Sequence, residues 1–168
     1  STFYGGYINT AIGEDGQLYF CTPRGVIAFS PEKIIDNPNI PPVKITDFRI
    51  FHEKARLDTA IHFKERVVLS HDQNAFSLGF AALNFTNPNQ NQYAYKMKGF
   101  WDEWIHIGAE RTASFTNLDP GNYIFRVKGS NNDGVWNDEG TSIRITILPP
   151  WWRTWQAYSI YIFLIALM

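Results

Sequence analysis

The sequence predicts an all-β fold: an immunoglobulin- or fibronectin-III-like sandwich, preceded by part of a β-propeller blade and followed by the start of a transmembrane helix. Three observations support this prediction. Between residues 43 and 148, short segments of alternating apolar and polar residues are separated by turn residues. An Asp-Gly turn joins two alternating segments near the N-terminus. Residues 151–168 are rich in aromatic and aliphatic side chains, and no charged residue follows Arg153.

The first 37 residues have the pattern of short strands joined by tight turns. Ile8, Thr10 and Ile12 alternate with other residues, the Asp15-Gly16 turn follows, and segments 18–22 and 26–29 continue the pattern. This is typical of a propeller blade, which has four strands. Segment 12–26 resembles the regulator-type propeller repeat, although Tyr19 stands where that family usually has tryptophan. We therefore expect residues 1–37 to be a partial last blade, and residues 38–42, which contain three prolines, to be a linker.

About seven strands are predicted between residues 43 and 150. Inward-facing residues are expected every second position, as in Phe76, Leu78 and Phe80. Frequent turns and the absence of a long helical pattern favour a sandwich of two antiparallel sheets. The predicted strands are 43–51, 66–69, 75–83, 92–98, 104–107, 113–115 together with 123–130, and 142–148.

The segment from Leu118 to Tyr123 predicts a tyrosine corner. Pro120 and Gly121 form a turn, and Tyr123 follows at the start of a strand. In a tyrosine corner, the hydroxyl group binds the backbone a few residues upstream. Tyr123 is therefore expected to be structural.

The C-terminal segment 151–168 predicts the start of a transmembrane helix. Trp151, Trp152 and Trp155 are expected at the membrane interface, which tryptophan favours. A buried C-terminal helix is the alternative, because such helices are also apolar on all sides. A bilayer span needs about 20 apolar residues, so we expect the chain to be a fragment of a longer protein.

From residue 42 to about 158 the sequence resembles the three-tyrosine (Y_Y_Y) domain of bacterial two-component regulators. Several motifs occur in the order of that family over more than a hundred residues. The residues that carry the resemblance are Tyr93, Tyr95, Gly99, Trp104, Pro120, Gly121, Tyr123, Gly134 and Trp136, followed by the Pro149-Pro150-Trp151-Trp152 segment.

This resemblance implies a membrane-bound sensor, most often a hybrid histidine kinase that detects glycans and starts a phosphorelay. Residues 1–150 would then be periplasmic, the anchor would lie in the inner membrane, and the remaining propeller would bind the glycan. A single span needs a second copy against which to move, so we expect a homodimer. Two alternatives stay open: the same ectodomain on a DNA-binding regulator without a kinase, or a surface carbohydrate-binding or adhesion module.

Composition and motifs provide no indication of catalysis, a cofactor or a metal site in this fragment. The net charge of -1 offers no basic stripe for nucleic acid, and one cysteine, Cys21, excludes an internal disulfide framework and a cysteine zinc cluster. Adjacent acids such as Asp102 and Glu103 point apart on a strand, whereas a glycosidase needs facing carboxylates. The oxygen-rich segment 131–139 is expected to be a turn rather than a calcium loop. Scattered positions argue against metal binding by the histidines, which are His52, His62, His71 and His106.

Exposed aromatic residues could provide a platform for sugar rings. We expect Trp104 and Trp136 to pack in the core of the sandwich, and Trp101 to be the exposed aromatic side chain.

Overall fold

The computed structural model describes residues 10–14, 16–33, 36–55, 57–153 and 155–166. Contacts divide the chain into two compact units, Ser1–Asp36 and Asn37–Met168. The expected alternation at Ile8 and the Asp15 turn residue lie outside the described residues.

The first unit contains a three-stranded antiparallel sheet in the order β1-β2-β3. Its strands are β1 (Thr10–Ile12), β2 (Leu18–Thr22) and β3 (Gly25–Phe29), and a short 3-10 helix follows at Pro31–Lys33. Gly16 has a φ of 76°, which favours glycine. The rings of Phe20 and Phe29 stack with centroids 5.6 Å apart. Membership of this sheet in a propeller stays a prediction.

The second unit is a sandwich of two sheets. Sheet I has the order β10-β7-β4-β5, and sheet II has the order β6-β12-β11-β8-β9. Neighbouring strands are antiparallel except β6 and β12, which are parallel. The strands are β4 (Val43–Ile50), β5 (Glu53–Lys54), β6 (Arg66–Leu69), β7 (Phe76–Ala82), β8 (Tyr93–Lys98), β9 (Trp101–Gly108), β10 (Thr112–Phe115), β11 (Gly121–Ser130) and β12 (Trp136–Ile147).

Short helical segments complete this unit. Single 3-10 turns lie at Ile61–Phe63, Pro88–Gln90 and Trp151–Arg153, and helix α1 covers Trp155–Ala166. None of the helices among the described residues combines the length and the apolar character needed to cross a membrane.

The core lies between the two sheets and follows the alternation of the strands. Phe76, Leu78 and Phe80 are at most 3% exposed, as expected for one inward face of β7. On sheet II the inward positions alternate with Arg126, Lys128 and Arg144 outside. Each large apolar side chain buried in this way contributes roughly 1.5–3 kcal/mol to folding. The inward residues of β11 and β12 are Tyr123, Phe125, Val127, Ile143, Ile145 and Ile147.

Strand β12 differs most from the sequence prediction, because it begins at Trp136 rather than at residue 142. Asn137 pairs with Gly129, whereas Thr141 pairs with Val127, so residues 138–140 lie opposite a single residue of β11. This bulge removes the alternation that would have identified the strand. Segments 113–115 and 123–130, which were predicted together, belong to different sheets as β10 and β11.

The Tyr123 hydroxyl group donates a hydrogen bond of 2.8 Å to the carbonyl oxygen of Asp119. This is the upstream contact that a tyrosine corner makes. Gly121 packs against the ring, since a Cβ at this position would lie 3.4 Å from the hydroxyl oxygen. Gly99 has a φ of 94° beside the same ring, and an added Cβ would lie 3.1 Å from the carbonyl oxygen of Asn122.

We predict that Tyr123→Phe lowers the free energy of unfolding by about 1 kcal/mol or more, because the Asp119 carbonyl loses its donor. Tyr95→Phe is the matched control, since the Tyr95 hydroxyl group makes no hydrogen bond to the part of the chain that the structure describes. Urea unfolding of both variants measures the difference. Equal midpoints for Tyr123→Phe and Tyr95→Phe would contradict the role of the corner.

Candidate functional site

Six asparagines hold the linker against one end of the sandwich, and we call them the asparagine clamp. Its members are Asn37, Asn84, Asn91, Asn131, Asn132 and Asn137. Asn91 and Asn131 are fully buried. The linker cannot pair as a regular strand, because its prolines have no backbone N–H. The clamp supplies hydrogen bonds that a strand would otherwise make. Side-chain amides donate to the Asn39 and Pro41 carbonyl oxygens of the linker, while the Pro42 carbonyl oxygen accepts from the Leu83 N–H.

Asn131 lies at the end of β11 and uses both ends of its amide. Its Oδ1 accepts hydrogen bonds of 2.9 Å from the backbone N–H groups of Asp133 and Val135, which fixes the turn before β12. Its Nδ2 donates to the carbonyl oxygens of Asn37 at 2.5 Å and Asn39 at 3.0 Å. One uncharged side chain thus joins the turn to the linker without burying a charge.

Asn137 makes the corresponding contact from β12 itself. Its Nδ2 donates to the carbonyl oxygen of Pro41 at 2.9 Å, and its Oδ1 accepts from the N–H of Gly140 at 3.0 Å. Gly140 lies in the bulge with a φ of 60°, and an added Cβ would lie only 2.2 Å from the carbonyl oxygen of Val127. The residue that holds the linker therefore also fixes the irregular part of β12.

The remaining contacts surround Asn37. Its N–H donates to the Asp133 carboxylate at 2.6 Å, and its Nδ2 donates to Asn84 Oδ1 at 3.2 Å. Asn84 Nδ2 donates in turn to Asn91 Oδ1 at 2.9 Å and to Asn132 Oδ1 at 3.0 Å. No buried side-chain nitrogen or oxygen atom lacks a hydrogen-bond partner among the described residues. A partly buried network whose buried polar atoms all have partners favours one arrangement of the segments it joins.

Strand β12 connects the clamp to the segment that leaves the sandwich, residues 148–153, which we call the exit segment. The Leu148 N–H donates to the Leu69 carbonyl oxygen at 2.9 Å, so the segment is paired to the end of β6. Pro150 is buried, and the Trp152 ring makes an edge contact with His71 at 5.2 Å. The linker and the exit segment are thus attached to opposite ends of one strand.

The three tyrosines after which the resemblance is named have different environments. The hydroxyl oxygen of Tyr93, on sheet II, accepts a hydrogen bond of 3.1 Å from the Ala82 N–H on sheet I, so it joins the two layers. Tyr95 packs edge-on against Phe115, and burial, with the Glu110 charge as a smaller cause, raises its pKa. Burial, followed by the Asp119 charge, also raises the pKa of Tyr123.

Trp104 and Trp136 do not occupy the core, which corrects our expectation. Both are half-buried on the outer face of sheet II. The Nζ atom of Lys128 lies 4.9 Å from the centroid of the Trp104 ring and 5.3 Å from that of Trp136. Lys96 and Arg126 also approach Trp104, so cations cover its face and make it a poor platform for sugar rings.

The other predicted site residues lie at the surface. Trp101 is 54% exposed at the start of β9. Pro120 is exposed in the turn before β11, and Gly134 has a φ of 79° in the turn before β12. Trp151 and Trp155 are exposed by 70% and 74%, and Trp152 by 44%. Among the described residues, no group of three or more histidine, cysteine, aspartate or glutamate side chains is placed to hold a metal ion.

Residues 84–148 match the Y_Y_Y domain family. The chain contains a Y_Y_Y domain. It is 40% identical over 151 residues to Histidine kinase P4 from Formosa agariphila, a match that covers 86% of this chain and 11% of that protein. The chain thus spans about a tenth of this curated relative's length.

Two solved structures are similar to this chain over the Y_Y_Y domain and the residues around it. One is an extracellular domain assigned to a hybrid two-component system of B. thetaiotaomicron, with 35% identity, a TM-score of 0.67 and coverage of 83% of this chain and 20% of that chain. Another extracellular domain from that organism, assigned to a one-component system, is 21% identical with a TM-score of 0.62 over 84% of this chain and 20% of that chain, and shows the shared fold. The chain is homologous to extracellular sensor regions of hybrid two-component systems.

We predict that Asn137→Asp releases the linker from β12. Aspartate retains the oxygen that accepts from Gly140 but places a negative charge beside the Pro41 carbonyl oxygen, so the free energy of unfolding falls by about 1 kcal/mol. In the unaltered chain the backbone N–H groups of Asn37 and Asn39 donate to side-chain oxygens. Hydrogen exchange at these two N–H groups should become faster in Asn137→Asp. The control is Asn89→Asp, an exposed position outside the clamp. Unchanged exchange in the linker of Asn137→Asp would contradict the clamp.

Proposed function

We propose that this chain is the membrane-proximal relay of an extracytoplasmic sensor, with a hybrid histidine kinase as its output. The observation that carries the proposal is the attachment of the linker and the exit segment to one strand, β12, through Asn137 and through the end at Ile147. A movement applied to the linker therefore reaches the exit segment through a paired strand of the core.

The input comes from a propeller that binds a glycan and to which β1, β2 and β3 contribute the last blade. The tight turns of the first unit and its resemblance to the regulator-type repeat support this part of the proposal. A lone blade has no neighbours on which to bury its faces, and β3 is exposed along its whole length.

The output passes through a membrane helix of which α1 is the beginning, so that residues 1–150 are periplasmic. The supporting observations are the apolar sequence of α1, the absence of charge after Arg153 and the exposed Trp151, Trp152 and Trp155. Pro149 and Pro150 restrict the exit segment, and its contacts with Leu69 and His71 tie it to the sandwich.

The receptor works as a homodimer in this proposal, because one span needs a second copy against which to change its position. Closed two-fold dimers are the commonest such assembly. The glycan shifts the receptor between two arrangements only by binding them unequally. We assign no catalytic step to this fragment, and the phosphorelay belongs to the cytoplasmic part of the receptor.

Disulfide crosslinking of the full-length receptor in membranes tests the relay. With Cys21→Ser as background, Gln156→Cys places a single thiol of this chain at an exposed position of α1. We expect at least one member of a panel of purified polysaccharides to change the crosslinking yield. We expect Asn137→Asp to reduce that change and Asn89→Asp to retain it.

Two outcomes would contradict the proposal. A yield that no polysaccharide alters would argue against rearrangement of a dimer at this position. A full response from the Asn137→Asp receptor would show that the clamp is not part of the path to the membrane.

A further inference from the structure

The outer face of sheet II contains a hollow of about 520 Å³. It lies near the C-terminal end of β12, the end that precedes the exit segment. Residues of β6, β12, β11, β8 and β9 line it. Its size falls within the range of small-molecule sites, which is about 300–1,000 Å³. No member of the asparagine clamp lines it.

A row of cations crosses this hollow. Arg66 on β6 pairs in register with Arg144 on β12, Arg144 pairs with Ile124 on β11, and Ile124 pairs with Lys98 on β8. Neighbouring strands lie about 4.8 Å apart, so the two arginines stand side by side. Like charges opposite each other on neighbouring strands are destabilising. Folding alone therefore does not explain this row.

The residues that the structure describes supply no ion pair to this row. Arg66, Arg144 and Lys98 make no ion pair or side-chain hydrogen bond to the described part of the chain. On the same face, Lys128 pairs with Asp138 at 2.8 Å, Arg126 donates to the Glu139 carbonyl oxygen, and Lys96 lies over the Trp104 ring. These three cations each have a partner, unlike the cations of the row.

The rest of the lining suits a ligand that has hydroxyl groups and an apolar face in addition to an anionic group. Asp102 places a carboxylate at the hollow, and Thr146 donates to Asn122 Oδ1 at 2.8 Å beside it. Ile124, which lies between Arg144 and Lys98 in the row, offers an apolar floor. A bare phosphate or sulfate would satisfy the arginines but would leave most of the hollow empty.

We propose that this hollow binds an acidic saccharide, a sugar that carries a carboxylate or a sulfate group. The guanidinium groups of Arg66 and Arg144 bind the anionic group, which arginine contacts in a bidentate manner. Sugar hydroxyl groups donate to Asp102 and Asn122, and an apolar face of the ring lies on Ile124. This site is on the sandwich itself and is separate from the glycan site proposed for the propeller.

Titration calorimetry of the full chain in a mild non-ionic detergent tests this site. The probes are a hyaluronan tetrasaccharide, which carries carboxylates, a chondroitin sulfate tetrasaccharide and neutral N-acetylchitotetraose. We expect binding of one or both acidic probes and none of the neutral one. Arg144→Gln should weaken binding about tenfold or more, since a hydrogen bond to a charged group is lost, while the Lys44→Gln control on sheet I leaves it unchanged.

A stability measurement separates binding from folding. Arg144→Gln relieves repulsion from Arg66, so its Tm should equal or exceed that of the unaltered chain. The proposal is overturned if neither acidic probe binds, if the neutral probe binds as well, or if Arg144→Gln binds normally. A further outcome is that the chain sediments with phosphatidylglycerol vesicles, loses this binding in Arg144→Gln and binds no saccharide. That result would assign the row to lipid headgroups and would also overturn the proposal.

Discussion

The structure depends on one constraint, which is that a proline-rich linker has carbonyl oxygens to satisfy and few N–H groups with which to pair. Asparagine side chains meet this constraint because each offers a donor and an acceptor without a charge. Asn131 and Asn137 use one end of the amide to shape the start of β12 and the other to hold the linker. The linker and β12 are thereby ordered by the same hydrogen bonds, and neither can move without changing the other.

The remainder of the sandwich connects the clamp to the exit segment at the other end of β12. Strand β12 runs from the clamp to the exit segment with β6 on one side and β11 on the other, and its inward face is in the core. Tyr93 joins the two layers through the Ala82 N–H, and Tyr123 closes the turn before β11. These contacts favour a domain that moves as a rigid body when the linker is displaced. The cations around the outer hollow have no part in these contacts, and we attribute them to the proposed saccharide.

Local patterns were sufficient to predict the sandwich and most of its inward faces. Alternation identified Phe76, Leu78 and Phe80 as buried residues of one strand face. The Pro120-Gly121 turn predicted that the Tyr123 hydroxyl group binds the backbone upstream, and it donates to the Asp119 carbonyl oxygen. The start of β12 was missed because the bulge at residues 138–140 interrupts alternation. Trp104 was assigned to the core because an aromatic residue in a strand does not reveal that Lys96, Arg126 and Lys128 cover it from outside. The clamp joins residues more than ninety positions apart, so local sequence patterns did not predict it.

The central claim is that the linker and the exit segment are mechanically joined through β12. Electron–electron double resonance between spin labels at Ile40→Cys and Leu148→Cys, in a Cys21→Ser background, measures this directly, because both side chains are exposed, by 62% and 46%. The account predicts a single narrow distance distribution in the full chain. A broad or multiply peaked distribution would show that the linker moves independently of the exit segment and would contradict the account.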